Sequence, residues 1–377
     1  MKKFPHSIAF VVTSKCNLRC KMCFQYGLRA QRLGIKDNPI LPPCKELVLS
    51  GIKEIVSKIN RNYSRSNKPS FYITGGEPFV RKDMFDIICY LHNQGNEIVV
   101  NTNFSLVNKN LLKKLANLKN LYLVVSLDGP QKIHDSIRGV KGLYKKVIGN
   151  LRFYSEKGGN HVRINCTIFK DNVGYIVDLY KALRGLNIHF CLNNVTWIDE
   201  KHIKIQEQLN KKYFGLREGV YLSKDLTVPL DKIRVLKKEF VTVGKMAKKD
   251  KINVFQIGAR YETLKNYYTN FNCNIKNRTC RTHNPTILPN GDVRFCPGVT
   301  YGIGPVLGNL LKDSLADVLK KRRKIEKIVN KRFRMGFIFP VCVKCCFLKD
   351  KNEYSLLNKL KRRVRGVFPD GANPRQY

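Results

Sequence analysis

No stretch of this sequence approaches the ~20 consecutive apolar residues that a membrane-spanning helix needs. The basic N-terminus, Met1-Lys2-Lys3-Phe4-Pro5-His6, is not followed by the apolar core of a secretory signal before Cys16. The expectation is a cytoplasmic protein with no membrane contact. In that reducing compartment the 13 cysteines stay as thiols, which argues against a disulfide framework and makes metal ligation the better account of those that cluster. Acidic side chains are scarce: 28 Asp and Glu stand against 70 Lys and Arg, a formal net charge of +42. A field of that size attracts polyanions and acidic proteins. The basic residues are scattered along the whole chain without interleaved aromatics, however, so no RNA-binding module is visible. Solvated helix faces are the simpler account of the charge.

The 377 residues, 43% of them hydrophobic, suffice for one large domain and a small one. Strand-like runs at 7–12, 71–74, 97–101, 121–127, 162–168 and 188–193 alternate with amphipathic helices. Met84, Ile87, Ile88 and Leu91 keep helical spacing, as do Ile176, Leu179, Tyr180 and Leu183. Six β-α units in series imply a parallel sheet with right-handed crossovers, and six rather than eight fits an open barrel. In the fifth strand Ile164, Cys166 and Ile168 suit the helix-covered outside, leaving Arg163, Asn165 and Thr167 to the barrel interior. In the sixth, His189, Cys191 and Asn193 are the inward set. Cys44, Cys89 and Cys166 read as packed thiols.

Directly after the first strand comes Cys16-Asn17-Leu18-Arg19-Cys20-Lys21-Met22-Cys23, a C-x3-C-x2-C triplet. A 4Fe-4S cube normally takes four thiolates, so a triplet leaves one iron open to a ligand. A zinc knuckle is the alternative, although zinc usually takes paired C-x2-C sets. On this spacing the chain resembles the radical S-adenosylmethionine (SAM) enzymes. The resemblance implies a partial (βα)6 TIM-like barrel, a cluster on Cys16, Cys20 and Cys23, and SAM chelated at the open iron. Thr74-Gly75-Gly76-Glu77-Pro78 looks like the family's motif for the SAM amino group, its glycines admitting a close backbone approach. Ser126-Leu127-Asp128-Gly129 and the run to Arg138 resemble the family's ribose- and carboxylate-binding elements, with Asn165 on the next strand; a helix cap is the plainer reading of Ser126 and Asp128. The family usually has an aromatic residue before the third cysteine, where this chain has Met22.

Cysteines return at 273, 280, 296, 342, 345 and 346. Asn290-Gly291 between two apolar pairs is a two-residue hairpin signal, which brings Cys280 and Cys296 toward the pair Cys342 and Cys345. This looks like the twitch or SPASM extension of radical SAM enzymes, here with one auxiliary 4Fe-4S cluster on Cys280, Cys296, Cys342 and Cys345, and Cys273 and Cys346 in reserve. A zinc ribbon on the same thiolates stays open. The expected organisation is a barrel over 1–230, a helical connector over 231–270, a twitch/SPASM-like domain over 271–350 and a basic tail over 351–377. The resemblance implies SAM cleavage to a 5'-deoxyadenosyl radical, hydrogen abstraction from a small-molecule or peptide substrate, and a reducing partner such as flavodoxin or ferredoxin. Peptide-maturing relatives often carry a leader-recognition domain, for which the 15 residues before Cys16 leave no room. Sulfatase-maturing relatives place an aspartate where this chain has Pro297. RNA modification and a zinc-stabilised nucleic-acid-binding protein are the alternatives.

Overall fold

The computed structural model describes residues 5–23, 44–159, 161–216, 224–259, 263–272, 278–280, 285–296, 305–344 and 348–350. The six expected strands form as β1 (Ser7–Thr13), β2 (Ser70–Gly75), β3 (Ile98–Thr102), β4 (Leu121–Ser126), β5 (Val162–Ile168) and β6 (Ile188–Asn194). All pair in parallel, each with the next. Their helices are α1 (Leu49–Asn60), α2 (Met84–Asn93), α3 (Lys109–Ala116), α4 (Gln131–Arg138), α5 (Leu143–Glu156) and α6 (Ile176–Ala182).

The strand period of two separates the faces. Phe10, Ile73, Val100, Leu123, Ile164, Cys166 and Phe190 join the helix-packed core, whereas Val99, Tyr122 and Val124 form a separate cluster with Tyr72 on the concave face. Register then aligns the concave side chains in rows. Val124, Arg163 and His189 make one row, and Ser126, Asn165 and Cys191 the next, toward the strand C-termini. The inward set expected on β5 and β6 is thus the concave set.

The expected helical connector over 231–270 is a correction. It holds α8 (Ile233–Lys249) and α9 (Leu264–Thr269), preceded by α7 (Glu200–Phe214), but between them β7 (Val254–Ile257) adds a seventh parallel strand beside β6. Its four residues are all half-buried and follow Lys248-Lys249-Asp250-Lys251, so neither length nor apolar alternation announces it. Helix α8 belongs to the same body: its buried Glu239 accepts from Gly174 N at 2.8 Å and Ile176 N at 2.7 Å, closing the start of α6.

β8 (Arg278–Cys280) is the first strand of the cysteine-rich stretch. The expected hairpin follows as β9 (Thr286–Ile287) and β10 (Asp292–Arg294), with Leu288 N donating to Asp292 O at 2.7 Å and Gly291 at φ +88°. It is not a separate layer. β9 pairs in parallel with β1, and β11 (Val306–Asn309) pairs with β10, so one ten-stranded sheet runs β11-β10-β9-β1-β2-β3-β4-β5-β6-β7. Helix α10 (Leu315–Arg334) follows, and β12 (Leu348–Asp350) pairs antiparallel with β8. Cys273, Cys345, Cys346, Pro297 and the tail 351–377 lie outside the described residues. No described helix is long and apolar enough to cross a membrane.

Candidate active site

The triplet loop leaves the C-terminal end of β1, at the same end of the sheet as the loops after β2, β3 and β4, and it is fastened to each neighbour in turn. At its start Glu46 Oε1 accepts from Thr13 Oγ1 at 2.7 Å and from Ser14 N at 2.9 Å. From the β2 side, Gly76 N donates to Thr13 O at 3.0 Å and Glu77 N to Lys15 O at 2.8 Å. A Cβ on Gly75 would stand 2.3 Å from Thr13 O, and one on Gly76 would stand 2.1 Å from Lys15 O. Only glycine permits this approach, and Gly75 at φ +154° adds a backbone reason. The glycines expected to admit a ligand thus admit the cysteine loop itself.

Glu77 differs from expectation in the same way. Its carboxylate is sealed from solvent, accepting from Phe79 N at 3.1 Å and Thr102 Oγ1 at 2.7 Å on one oxygen and from Asn103 N at 2.7 Å on the other. Burial raises its pKa to about 7 against those bonds. It ties β2 to β3, and Pro78 beside it opens a short 3-10 turn. Past β3, Asn103 Nδ2 donates to Asn17 Oδ1 at 2.9 Å, and Asn17 Nδ2 to Ser105 Oγ at 2.9 Å. Between them Phe104 is buried at φ +58°, a strained conformation for a bulky residue. Asn17, Glu46, Asn103 and Ser105 escaped the sequence reading. The one available signal was the polar run Asn101-Thr102-Asn103 at a strand C-terminus, where barrel chemistry collects.

The fourth fastening comes from α4. Lys21 N donates to Ile137 O at 2.9 Å, and Arg138 Nη1 to Cys20 Sγ at 3.5 Å. Asp128, fully buried, aims that guanidinium: its Oδ2 accepts from Arg138 Nε at 2.7 Å, and its Oδ1 from Thr167 N at 3.0 Å. Burial works against the charge on Arg138, but Asp128 and Cys20 more than restore it, raising its pKa. Asp128 therefore positions Arg138 rather than capping a helix. His134 Nδ1 accepts from Asp128 N at 3.2 Å, and burial lowers the imidazole pKa to about 4, so it is neutral near pH 7. Met22 is half-buried against the core, while Ser126 and half-buried Asn165 stand side by side on the concave face.

Burial pushes the Cys16 thiol up to about 12, with Cys20, Glu77 and Cys23 adding negative charge around it. Thiolates gathered there call for a cationic group to neutralise them. Among the described residues no three His, Cys, Asp or Glu side chains close on a single-ion site. By its chemistry the donor set, three thiols on one loop, is one that a 4Fe-4S cube would take with one iron left open.

The sequence profile of the radical SAM superfamily matches residues 10–183, from β1 through α6. These residues are a radical SAM domain. Among curated proteins it is 27% identical over 204 residues to an Fe-coproporphyrin III synthase of Methanosarcina barkeri, covering 54% of this chain and 47% of that protein. It is 26% identical over 198 residues to the antilisterial bacteriocin subtilosin biosynthesis protein AlbA of Bacillus subtilis, covering 52% and 40%. The chain spans about half the length of the curated relatives it matches. These radical SAM relatives are enzymes. In fold it is similar to Streptococcus suis SuiB bound to S-adenosylmethionine, with a TM-score of 0.58 at 18% identity, over 84% of this chain and 64% of that one. It is likewise similar to anSMEcpe with bound AdoMet, with a TM-score of 0.58 at 15% identity, over 95% of this chain and 100% of that one. Radical SAM chemistry implies a 4Fe-4S cluster and SAM.

Proposed function

We propose that the chain is a radical SAM enzyme that cleaves SAM reductively and abstracts hydrogen from a peptide substrate, with one auxiliary cluster in its C-terminal region. The observation that carries the reading is the fourfold fastening of the triplet loop, which ends with the Arg138 guanidinium on Cys20. Cys16, Cys20 and Cys23 would hold the SAM-binding cluster. When bound there, a reduced 4Fe-4S cluster supplies one electron to the SAM sulfonium, giving methionine and a 5'-deoxyadenosyl radical. The protein's part is positioning. Met22 and Pro78 would line the cofactor, Gly75, Gly76 and Glu77 fix the loop on β2, and Ser126 and Asn165 would offer a hydroxyl and an amide from the concave face. Asp128 holds Arg138 against Cys20, where it would face the cluster and the SAM carboxylate.

The auxiliary cluster is assigned to Cys280, Cys296, Cys342 and Cys345, which would hold it where it could accept an electron from the substrate radical or bind substrate. The Leu348↔Cys280 pairing supports this, because it draws the Cys280 backbone to within three residues of Cys345 along the chain. The C-terminal unit takes in 271–350 and the barrel the residues before it. A flavodoxin or ferredoxin is the proposed reductant, and a cytoplasmic setting the proposed location.

The peptide class follows SuiB, solved with its precursor peptide SuiA, and AlbA. A tetrapyrrole is the second reading, favoured by the curated Fe-coproporphyrin III and heme synthases. The test is anaerobic reconstitution followed by SAM and a strong reductant. About eight irons and 5'-deoxyadenosine are expected, and candidate peptides should raise 5'-deoxyadenosine above the uncoupled background. Stimulation by an iron porphyrin alone selects the second reading, and stimulation by RNA alone, lost on ribonuclease treatment, overturns both. Zinc in place of iron removes the enzyme reading altogether.

A further inference from the structure

Helix α10 buries Leu315, Val318, Val329 and Phe333. At 3.6 residues per turn, Lys320, Lys324, Lys327, Lys331 and Arg334 stay within about 40° of one line on the opposite side. All are exposed, and exposed Arg323 flanks them. Over a length of about 21 Å this outward face carries cations and no acid. The two acids of the helix lie elsewhere: Asp317 is in its first turn, and Glu326 pairs with Arg322 at 2.7 Å. Neighbours three and four apart, such as Lys320 with Lys324 and Lys327 with Lys331, repel one another along the whole line. A line of negative charge laid on it would relieve that repulsion.

The chain itself does not supply one. Outside the described residues the acids are Asp37, Glu218, Glu262, Glu353 and Asp370, and no such segment carries net negative charge. A second copy, at a formal +42, is repelled. The occupant is therefore a different molecule, and the end of the line selects its kind. There Gly336, at φ +83°, turns the chain so that Phe337 N donates to Arg332 O at 3.0 Å, leaving Met335 60% and Phe337 47% exposed. Acidic side chains followed by an apolar one complement this surface. On the line itself no aromatic side chain is present to stack a base, and no apolar one to enter a bilayer. The helix also starts near the candidate site. β10 is antiparallel to β9 and β11, and β9 is parallel to β1, so β11 runs in the direction of β1. Asp313 N turns back onto Asn309 O at 2.7 Å, which starts α10 at the end of the sheet that carries the triplet loop. We propose that the outward face of α10 docks an acidic peptide segment. Resting on the peptide reading above, this segment is the part of the substrate that binds without reacting.

The test follows the fluorescence anisotropy of a labelled peptide, a run of glutamates ending in leucine, on the full chain at rising salt. Lys320→Gln, Lys324→Gln, Lys327→Gln, Lys331→Gln and Arg334→Gln together keep good helix formers on α10. They should weaken binding about tenfold or more and flatten its salt dependence. Arg234→Gln, Lys237→Gln, Lys238→Gln, Lys245→Gln and Lys249→Gln on exposed positions of α8 alter the net charge equally and should leave binding close to that of the parent. Arginine at the four lysines of α10 keeps the charge and should keep the binding. Equal weakening in both glutamine variants, or full binding in the α10 variant, overturns the proposal. Tighter binding of an oligouridylate of equal charge, or of phosphatidylglycerol vesicles, overturns it as well. Formation of 5'-deoxyadenosine without peptide reads the radical SAM assignment separately and should be equal in both variants. If the probe binds through α10 while no peptide raises 5'-deoxyadenosine, the docking face stands and the peptide-substrate reading falls.

Discussion

Replacing Asp128 by Asn withdraws the counter-charge from a guanidinium that the fold has closed off. Asp128 is 0% exposed and Arg138 8%, with 2.7 Å between Oδ2 and Nε. At that distance two unit charges attract by about 6 kcal/mol at an effective dielectric constant of about 20, most of which offsets the cost of desolvating both. Removing one partner leaves that cost standing. The substituted amide can still accept from Thr167 N, but its NH2 faces Arg138 Nε donor to donor. The expected loss is about 3–5 kcal/mol, a large fraction of a domain's total stability. Urea unfolding of the apo chain at neutral pH measures it as a fall in midpoint at constant slope. The double change Asp128→Leu with Arg138→Met removes both charges and should recover most of the loss, giving a coupling energy of several kcal/mol. Asp128→Asn unfolding within about 1 kcal/mol of the parent would refute the reasoning, because the pair would then not be buried in solution.

His134 should make stability fall between pH 6.5 and about 4: the unfolded imidazole protonates near its ordinary value while the folded one stays neutral, so the stability present above 6.5 is lost as pH drops. From pH 7 to 5 that single group contributes about 2 kcal/mol, and His134→Asn, which keeps an acceptor for Asp128 N, should remove that part of the slope. Gly76→Ala must displace the Lys15 carbonyl, which a Cβ would meet at 2.1 Å, and should cost about 1–3 kcal/mol with a matching drop in triplet-bound iron. Replacing Cys16, Cys20 and Cys23 with alanine should abolish 5'-deoxyadenosine formation and leave about four irons; replacing Cys342 and Cys345 should remove the other cluster's iron.

The strands β1 to β6 were legible because parallel strands are buried on both faces and read as dense apolar runs, and the Asn290-Gly291 hairpin because its turn chemistry is local. β7 was hidden because an edge strand of four half-buried residues carries no such run. The cysteine triplet and the residues after β2 and β4 were visible as motifs, but their division of labour was not. Whether Glu77 and Asp128 face a ligand or another backbone is decided by what stands opposite them, and Asn103, Arg138 and Thr167 come from other parts of the chain. The same holds for Asn17 and Glu46, ordinary polar residues until the fold gives them partners.

The parallel pairing of β9 with β1 also orders events in time. Ala9 pairs with Thr286, which lies 277 residues later in the chain. At translation rates of about 5–20 residues per second, β1 waits roughly 15–55 s on the ribosome before that neighbour exists. During that interval one edge of the strand that delivers Cys16 is open to foreign strands, and closing so long a loop makes its completion a late step of folding. The β9–β10 hairpin, and Cys296 directly after it, thus reach the strand that delivers Cys16 only after every other strand of the barrel has been made.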